Sequence, residues 1–336
     1  GVTNFDAAHL RIALASGIPI VSNQVCHSLI DRRASLTMTE VCKQYDVKLL
    51  AFGTLAGGFL TDRWLGKTEP SMEDLSTWSQ MKYKRFIDAA GGWAPYQHLL
   101  QTVKSIADKH QVSTANVACR YILENPAVAG VIIGARLGES EHIDNNKQIL
   151  DITLDATDIS AIKEAQEQLQ PIPGDCGDEY RKPPFLTASG DLSDHLDTIP
   201  KAFTPVAIRE HREQVFSGTP WEGFAGYSRA VKDGNRIHVS GTTATHGNLM
   251  IGGSDPAAQT HFVLDKIEGA ITSLGGTLAD VVRTRIFVND ISQWEAVARA
   301  HGERFKGINP ANTLVEARLV GDGYLVEIEA EAVLPS

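Results

Sequence analysis

Cysteine is scarce in this 336-residue sequence: Cys26, Cys42, Cys119 and Cys176 are scattered, with no C-x-x-C pair and no histidine at zinc spacing. Neither a metal site nor a disulfide framework is expected from them, and they read as free thiols in a reducing compartment. Basic charge is also in deficit. With 31 Lys and Arg against 41 Asp and Glu, the formal net charge is −10. That balance argues against nucleic-acid partners, which are held largely by cations neutralising phosphate. No apolar run reaches the roughly 18 residues of a membrane span, and the N-terminus lacks a basic and apolar leader, so the expectation is a cytoplasmic protein with no membrane partner. Repeats are absent too. The chain opens on GVTNFD with no initiator Met and is expected to be a fragment of a longer protein.

What is present is ordinary globular composition, 43% hydrophobic and 21% charged, at a length that suggests two folded units. Up to about residue 165, short apolar runs alternate with helical stretches, as in parallel α/β units. Strands are expected at 1–4, 20–24, 49–52 and 128–133, and helices at 6–16, 37–45, 96–109, 114–124 and 158–169. Ser113 is suited to cap the fourth of these helices and Asn125-Pro126 to stop it. The stretch 171–221 is rich in Pro, Gly, Asp and Ser and reads as tail and linker, with one short helix near 205–214. Beyond it the order is strands (227–231, 236–241), helix (256–274), strand (281–289), helix (294–305) and strands (312–317, 324–333), an α+β pattern. Asp233-Gly234 is the expected hairpin turn and Gly275-Gly276 the expected helix stop.

Four short segments at strand ends carry the first module: GVTNF, SNQV, AFGTLAGGFL and VIIGARLGESEHIDNN. In barrels of alternating strand and helix the site lies at that end of the strands. Here the chain resembles the aldo/keto reductase family, in order and spacing, from its fifth barrel strand to its eighth and the helical tail, roughly residues 1–200. The resemblance implies a partial (β/α)8 TIM barrel that uses NADP or NAD. Thr3, Asn4 and Gln24 would meet the nicotinamide carboxamide, and Phe52 would stack under its ring. Gly53, Gly57 and Gly58 would let backbone approach the pyrophosphate, Arg136 would serve ribose or phosphate, and Asn146 adenine. The family's usual Tyr and Ser are Phe52 and Gly53 here. Its catalytic Asp, Tyr, Lys and His sit on the other half of the barrel, so the resemblance implies cofactor contacts without a proton donor. Four strands with open edges are expected to pair with a second copy or order poorly.

The segments GYSRAVKDGNRIHVSGTTA, RTRIFVND and INPANTLVEARLVGDGYLVEIEAEAV resemble the RidA (YjgF) family over roughly residues 207–336. That likeness implies a chorismate-mutase-type α+β domain, a homotrimer with pockets between subunits, and no cofactor. Family members that act on imines use an arginine to hold the substrate carboxylate and a glutamate to position water. The arginine position is Asn312, so the usual anchor is missing. Tyr227, Ser240, Gly241 and Glu327 match pocket positions, and Ala298 stands where an asparagine is common. From alternation alone, Glu327, Glu329 and Glu331 share one strand face and read equally as a solvated acidic stripe. His238, His246 and His261 have no metal spacing. The expected function is an NAD(P)H-dependent carbonyl or sugar oxidoreductase fused to a RidA-like domain, acting on a small molecule. The alternative is an imine or enamine hydrolase, or a ligand-binding trimer, with the barrel half as a remnant.

Overall fold

A computed structural model describes residues 1–134, 142–181 and 201–335. The chain divides into two compact units, one of residues 1–7 and 20–197, the other of residues 8–19 and 198–336.

In the first half of the chain, β1 (Val2–Thr3) precedes α1 (Ala7–Ala15), and β2 (Ser22–Cys26) precedes α2 (Thr37–Gln44). Next come β3 (Lys48–Phe52), α3 (Trp78–Ala89), α4 (Trp93–His110) and α5 (Thr114–Leu123). They are followed by β4 (Val128–Ile132), α6 (Ile143–Lys147) and α7 (Ala156–Glu167). The four strands form one parallel sheet in the order β1-β2-β3-β4. Local chemistry sets the helix starts: Ser113 accepts from the Asn116 amide ahead of α5, and Asp155 accepts from Thr157 and Asp158 ahead of α7. The core joins Cys26, Ala51, Phe59, Phe86, Tyr96, Leu99 and Ile162. All four cysteines are free and buried, and burial raises each thiol above its ordinary value.

The expected strands are found with ends shifted by one or two residues, but α3 is missed by apolar periodicity. Its buried side carries Gln80, Lys82 and Lys84 beside Tyr83, Phe86 and Ile87, so polar letters stand where the pattern needs apolar ones.

The second unit is built on a seven-stranded mixed sheet, ordered β12-β11-β13-β8-β7-β6-β5. Besides residues 8–19, which carry most of α1, its elements in chain order begin with β5 (Val206–Arg209), β6 (Arg212–Val215), α8 (Pro220–Ala225), β7 (Ala230–Asp233) and β8 (Arg236–Thr243). A two-stranded ribbon follows, β9 (Thr245–His246) with β10 (Leu249–Met250), then α9 (Pro256–Ser273) and β11 (Val281–Val288). The last elements are α10 (Trp294–Arg304), β12 (Ala311–Glu316) and β13 (Val326–Val333). Only β11 and β12 pair in parallel within this sheet. Asp255 accepts from the Ala257 and Ala258 amides at the start of α9, with Pro256 in the first turn, and Gly275 at φ 90° follows its end. Gly234 at φ 60° makes the β7–β8 turn.

The expected short helix at 205–214 is replaced by the β5–β6 hairpin, whose register pairs Val206 with Gln214 and Arg209 with Arg212. Its turn uses His211 at φ 61° in place of glycine, so no turn signal marks it. Part of the expected linker is also folded: α8 begins at its end, and Cys176, Asp178 and Glu179 are buried.

Among the described residues, no helix is long and apolar enough to cross a membrane, and no cluster of His, Cys, Asp and Glu could hold a metal ion.

Candidate functional site

In the first unit, register pairs Thr3 with Gln24 and Cys26 with Phe52, so Thr3, Gln24 and Phe52 share one face of the parallel sheet. Asn4 follows at φ 57°, its amide bonded to the Gln24 carbonyl, and its buried Oδ1 has no hydrogen-bond partner. These are the polar strand tips that a carboxamide would need. The rest of the expected cradle is occupied by protein. The Lys82 ammonium lies over the rings of Phe52 (5.3 Å), Tyr83 (5.4 Å), Phe86 (5.7 Å) and Tyr180 (4.3 Å), and donates to the Tyr180 hydroxyl. A Cβ on Gly53 would fall 2.0 Å from the Tyr83 hydroxyl, and one on Gly57 would meet the Ser79 carbonyl at 3.0 Å. Packing of α3 therefore accounts for both glycines. Gly58, at φ 93°, has open space around it, but its amide donates to the Leu55 carbonyl. Residues of this unit fit a nicotinamide dinucleotide in part: the strand tips are in place, while the aromatic face and the glycine loop are engaged. Asn146 lies half-buried in α6, and Arg136 lies outside the described residues.

Below this cluster runs an ion network that the sequence did not show. Arg33 holds both Asp31 oxygens (Nε to Oδ1 2.9 Å, Nη2 to Oδ2 2.7 Å), donates to the Asp175 carbonyl (2.7 Å), and lies 2.9 Å from Glu179 Oε2. Burial opposes the charge, yet Asp31 outweighs it and raises the arginine above its ordinary value.

In the second unit, five residues converge where β8 meets β13. A bulge there sets extra β8 residues against Glu329. Arg229, 3% exposed, donates from Nη1 to the Gly241 carbonyl (2.7 Å), to Thr242 Oγ1 (2.7 Å) and to the Ser240 carbonyl (3.3 Å), and from Nη2 to the Tyr227 hydroxyl (3.2 Å). Ser240 donates to the Ser228 carbonyl at 2.8 Å. A Cβ on Gly241 would fall 2.0 Å from Glu327 Oε1, so any side chain there would displace the glutamate carboxyl. Tyr227, Ser240, Gly241 and Glu327 are thus brought together. Burial, helped by Glu329, raises the Glu327 carboxyl above its ordinary value, against the pull of Arg229. A carboxyl so placed can take and return a proton more readily than a solvated one. The acidic stripe is not a uniformly solvated face: Glu327 is half-buried, and Glu329 and Glu331 pair with Arg285 at 3.2 and 3.0 Å.

Asn312 is not with them. It pairs across β12–β11 with Thr284, and its Nδ2 donates to Thr284 Oγ1 at 2.9 Å. Thr284 is fully buried and bonds to His301 Nε2 of α10 at 2.9 Å. Glu327 instead registers with Phe287, three residues along β11 from Thr284, so the two side chains take opposite faces of the sheet. On the helix side, Asn312 lines a pocket of about 310 Å³ with Ile286, Ala298, His301, Phe305 and Leu314. Arg229 and His301 were not singled out from sequence. An arginine just before a strand and a histidine on a helix are read as surface groups, and only the packing shows them buried.

Residues 1–167 match the aldo/keto reductase family, and residues 220–334 match the family described as Endoribonuclease L-PSP. An uncharacterized protein of Streptomyces coelicolor, SCO2049, is 38% identical over 120 residues, which are 35% of this chain and 90% of that protein. The chain is an aldo/keto reductase segment fused to a YjgF/RidA-family domain. Flagellar radial spoke protein 5 of Chlamydomonas reinhardtii is 35% identical over 126 residues, 37% of this chain, and the match spans 24% of that protein's length. Among solved structures, Rv2704 of Mycobacterium tuberculosis, a member of the YjgF/YER057c/UK114 family, is 47% identical. That match covers 37% of this fusion chain and 99% of Rv2704, with a TM-score of 0.34. The YjgF gene product of E. coli is 29% identical over 32% of the fusion and 87% of its own chain, with a TM-score of 0.30.

Proposed function

We propose that the YjgF/RidA domain hydrolyses a small imine or enamine in a composite site formed between copies, with the pocket at Asn312 on one copy and Glu327 on the next. One observation carries this reading: within a single chain the two groups lie on opposite faces of one sheet. A closed ring of copies, as in a homotrimer, brings unlike faces together at every interface. In the reaction Glu327 takes a proton from water as the water oxygen adds to the imine carbon and the C=N π pair moves to nitrogen, which receives that proton from Glu327. The carbinolamine hydroxyl then gives its proton through Glu327 to the nitrogen, the C=O bond forms, and the C–N bond breaks. Carbonyl compound and amine leave. Tyr227 and the Ser240–Gly241 backbone, propped by Arg229, line the glutamate's side. Subunit mixing tests it. Glu327→Gln and Asn312→Leu homo-oligomers are each expected to be inactive on a small uncharged imine, and co-assembled oligomers to recover roughly a quarter of wild-type activity by random pairing. Mixed oligomers as inactive as either parent would refute a site shared between copies.

For the reductase segment the reading is an oxidoreductase part that takes NADP or NAD through Thr3, Asn4, Gln24 and Phe52, with Arg136, Asn146 and the glycine loop on the phosphate and adenine side. The strand-tip row and the unpartnered Asn4 Oδ1 support it. No hydride step is assigned, because Lys82 and α3 occupy Phe52 and the loop. Titration of NADPH fluorescence is expected to show weak binding that tightens several-fold in Lys82→Ala, which removes the side chain lying over the Phe52 ring. Unchanged affinity in that variant would remove Phe52 from the cofactor reading.

A further inference from the structure

The pocket between α10 and β12 has apolar walls, the polar side chains of His301 and Asn309, and a polar tip at Asn312. Ile286, Ala298, Phe305 and Leu314 supply the walls, and the His301 and Phe305 rings lie 4.5 Å apart at 37°. None of the residues that line it is an Asp, Glu, Lys or Arg. His301 is uncharged at neutral pH, because burial lowers it to about 4.

The polar tip is fixed by a short relay. Thr284 Oγ1 lies 2.9 Å from His301 Nε2 and accepts from Asn312 Nδ2. That bond holds the Asn312 amide in one orientation. Its Oδ1 and second N–H have no partner among the described residues, so one acceptor and one donor sit side by side on a rigid planar group. An amide edge in a ligand answers both at once. A carboxylate answers only the donor, sets its charge against Oδ1, and finds no cation to offset its loss of water.

We propose that this pocket binds an uncharged, flat ligand with an amide-like donor–acceptor edge and rejects carboxylates. The volume of about 310 Å³ suits a single-ring molecule. Such a ligand belongs to the pocket half of the composite site, and its catalytic meaning rests on that reading.

Calorimetric titration of the full chain with benzamide and with benzoate, probes that share a ring and differ in charge, tests it. Benzamide is expected to bind saturably and at least about tenfold more tightly than benzoate. Asn312→Leu is expected to erase that preference, and Asn312→Arg to reverse it. Equal or tighter binding of benzoate to the wild-type chain, or no saturable binding of benzamide, would overturn the assignment without recourse to any variant. The outcomes stay separable from the catalytic reading. Subunit mixing that restores activity while benzoate wins sinks the ligand class alone, and a benzamide preference with failed mixing sinks the shared site alone.

Discussion

Replacing Arg33 with methionine is expected to cost the first unit about 3–5 kcal/mol, the range for breaking a buried ion pair by removing one partner. The arginine side chain is 5% exposed, and those of Asp31 and Glu179 are fully buried. Its loss would leave two buried carboxylates with Lys82, 3.9 Å from Glu179, as a cation still close by. With a urea dependence of about 1–3 kcal/mol per molar, the unfolding midpoint should fall by more than about 1 M. Adding Asp31→Asn and Glu179→Gln to the same chain should recover a large part of the loss, since the penalty lies in uncompensated charge more than in packing. A single variant within about 1 kcal/mol of wild type would show that the network contributes little.

The second large effect belongs to Glu222, which is 4% exposed in α8. Its carboxylate accepts from the Ser217 amide (2.9 and 3.1 Å), the Ser217 hydroxyl (2.8 Å) and the Gly218 amide (2.9 Å), and lies 3.7 Å from Arg229 Nε. Glu222→Ala strands those donors and leaves the Arg229 cation buried without its counter-charge. A loss of about 3–5 kcal/mol is expected. Glu222→Gln, which keeps the shape and one acceptor oxygen, should lose less, about 1–3 kcal/mol. If alanine and glutamine cost the same, the carboxylate's hydrogen bonds are not what holds the segment. Because Arg229 also props Tyr227 and the Ser240 and Gly241 carbonyls, imine turnover should fall with stability in Glu222→Ala.

Much of the fold is written in local signals. Ser113 announces a helix start, Gly275-Gly276 a helix stop, Gly234 a hairpin, and the run EIEAEAV a strand with one buried face, each because a few neighbouring residues decide the geometry. Where local and tertiary demands differ, the reading fails. Lys82 and Lys84 interrupt the apolar pattern of α3, because one is enclosed by aromatic rings and the other pairs with Glu69 at 2.8 Å. The charged segment 206–215 has no glycine at its turn and reads as helix, though it forms two strands.

The candidate sites divide in the same way. Residue types could be placed by motif: Gln24 and Phe52 on the parallel sheet, Gly241 against Glu327. Direction could not. Whether Asn312 faces Glu327 depends on which β11 residue each registers with, and that is a property of three strands together.

All four cysteines, Cys26, Cys42, Cys119 and Cys176, are in the first unit, and each is buried with its thiol raised. A disulfide reagent would therefore meet almost no thiolate while that unit is closed. Its slow reaction would count openings of one half of the fusion and ignore the other, giving the molecule a built-in clock for the unit that Arg33 secures.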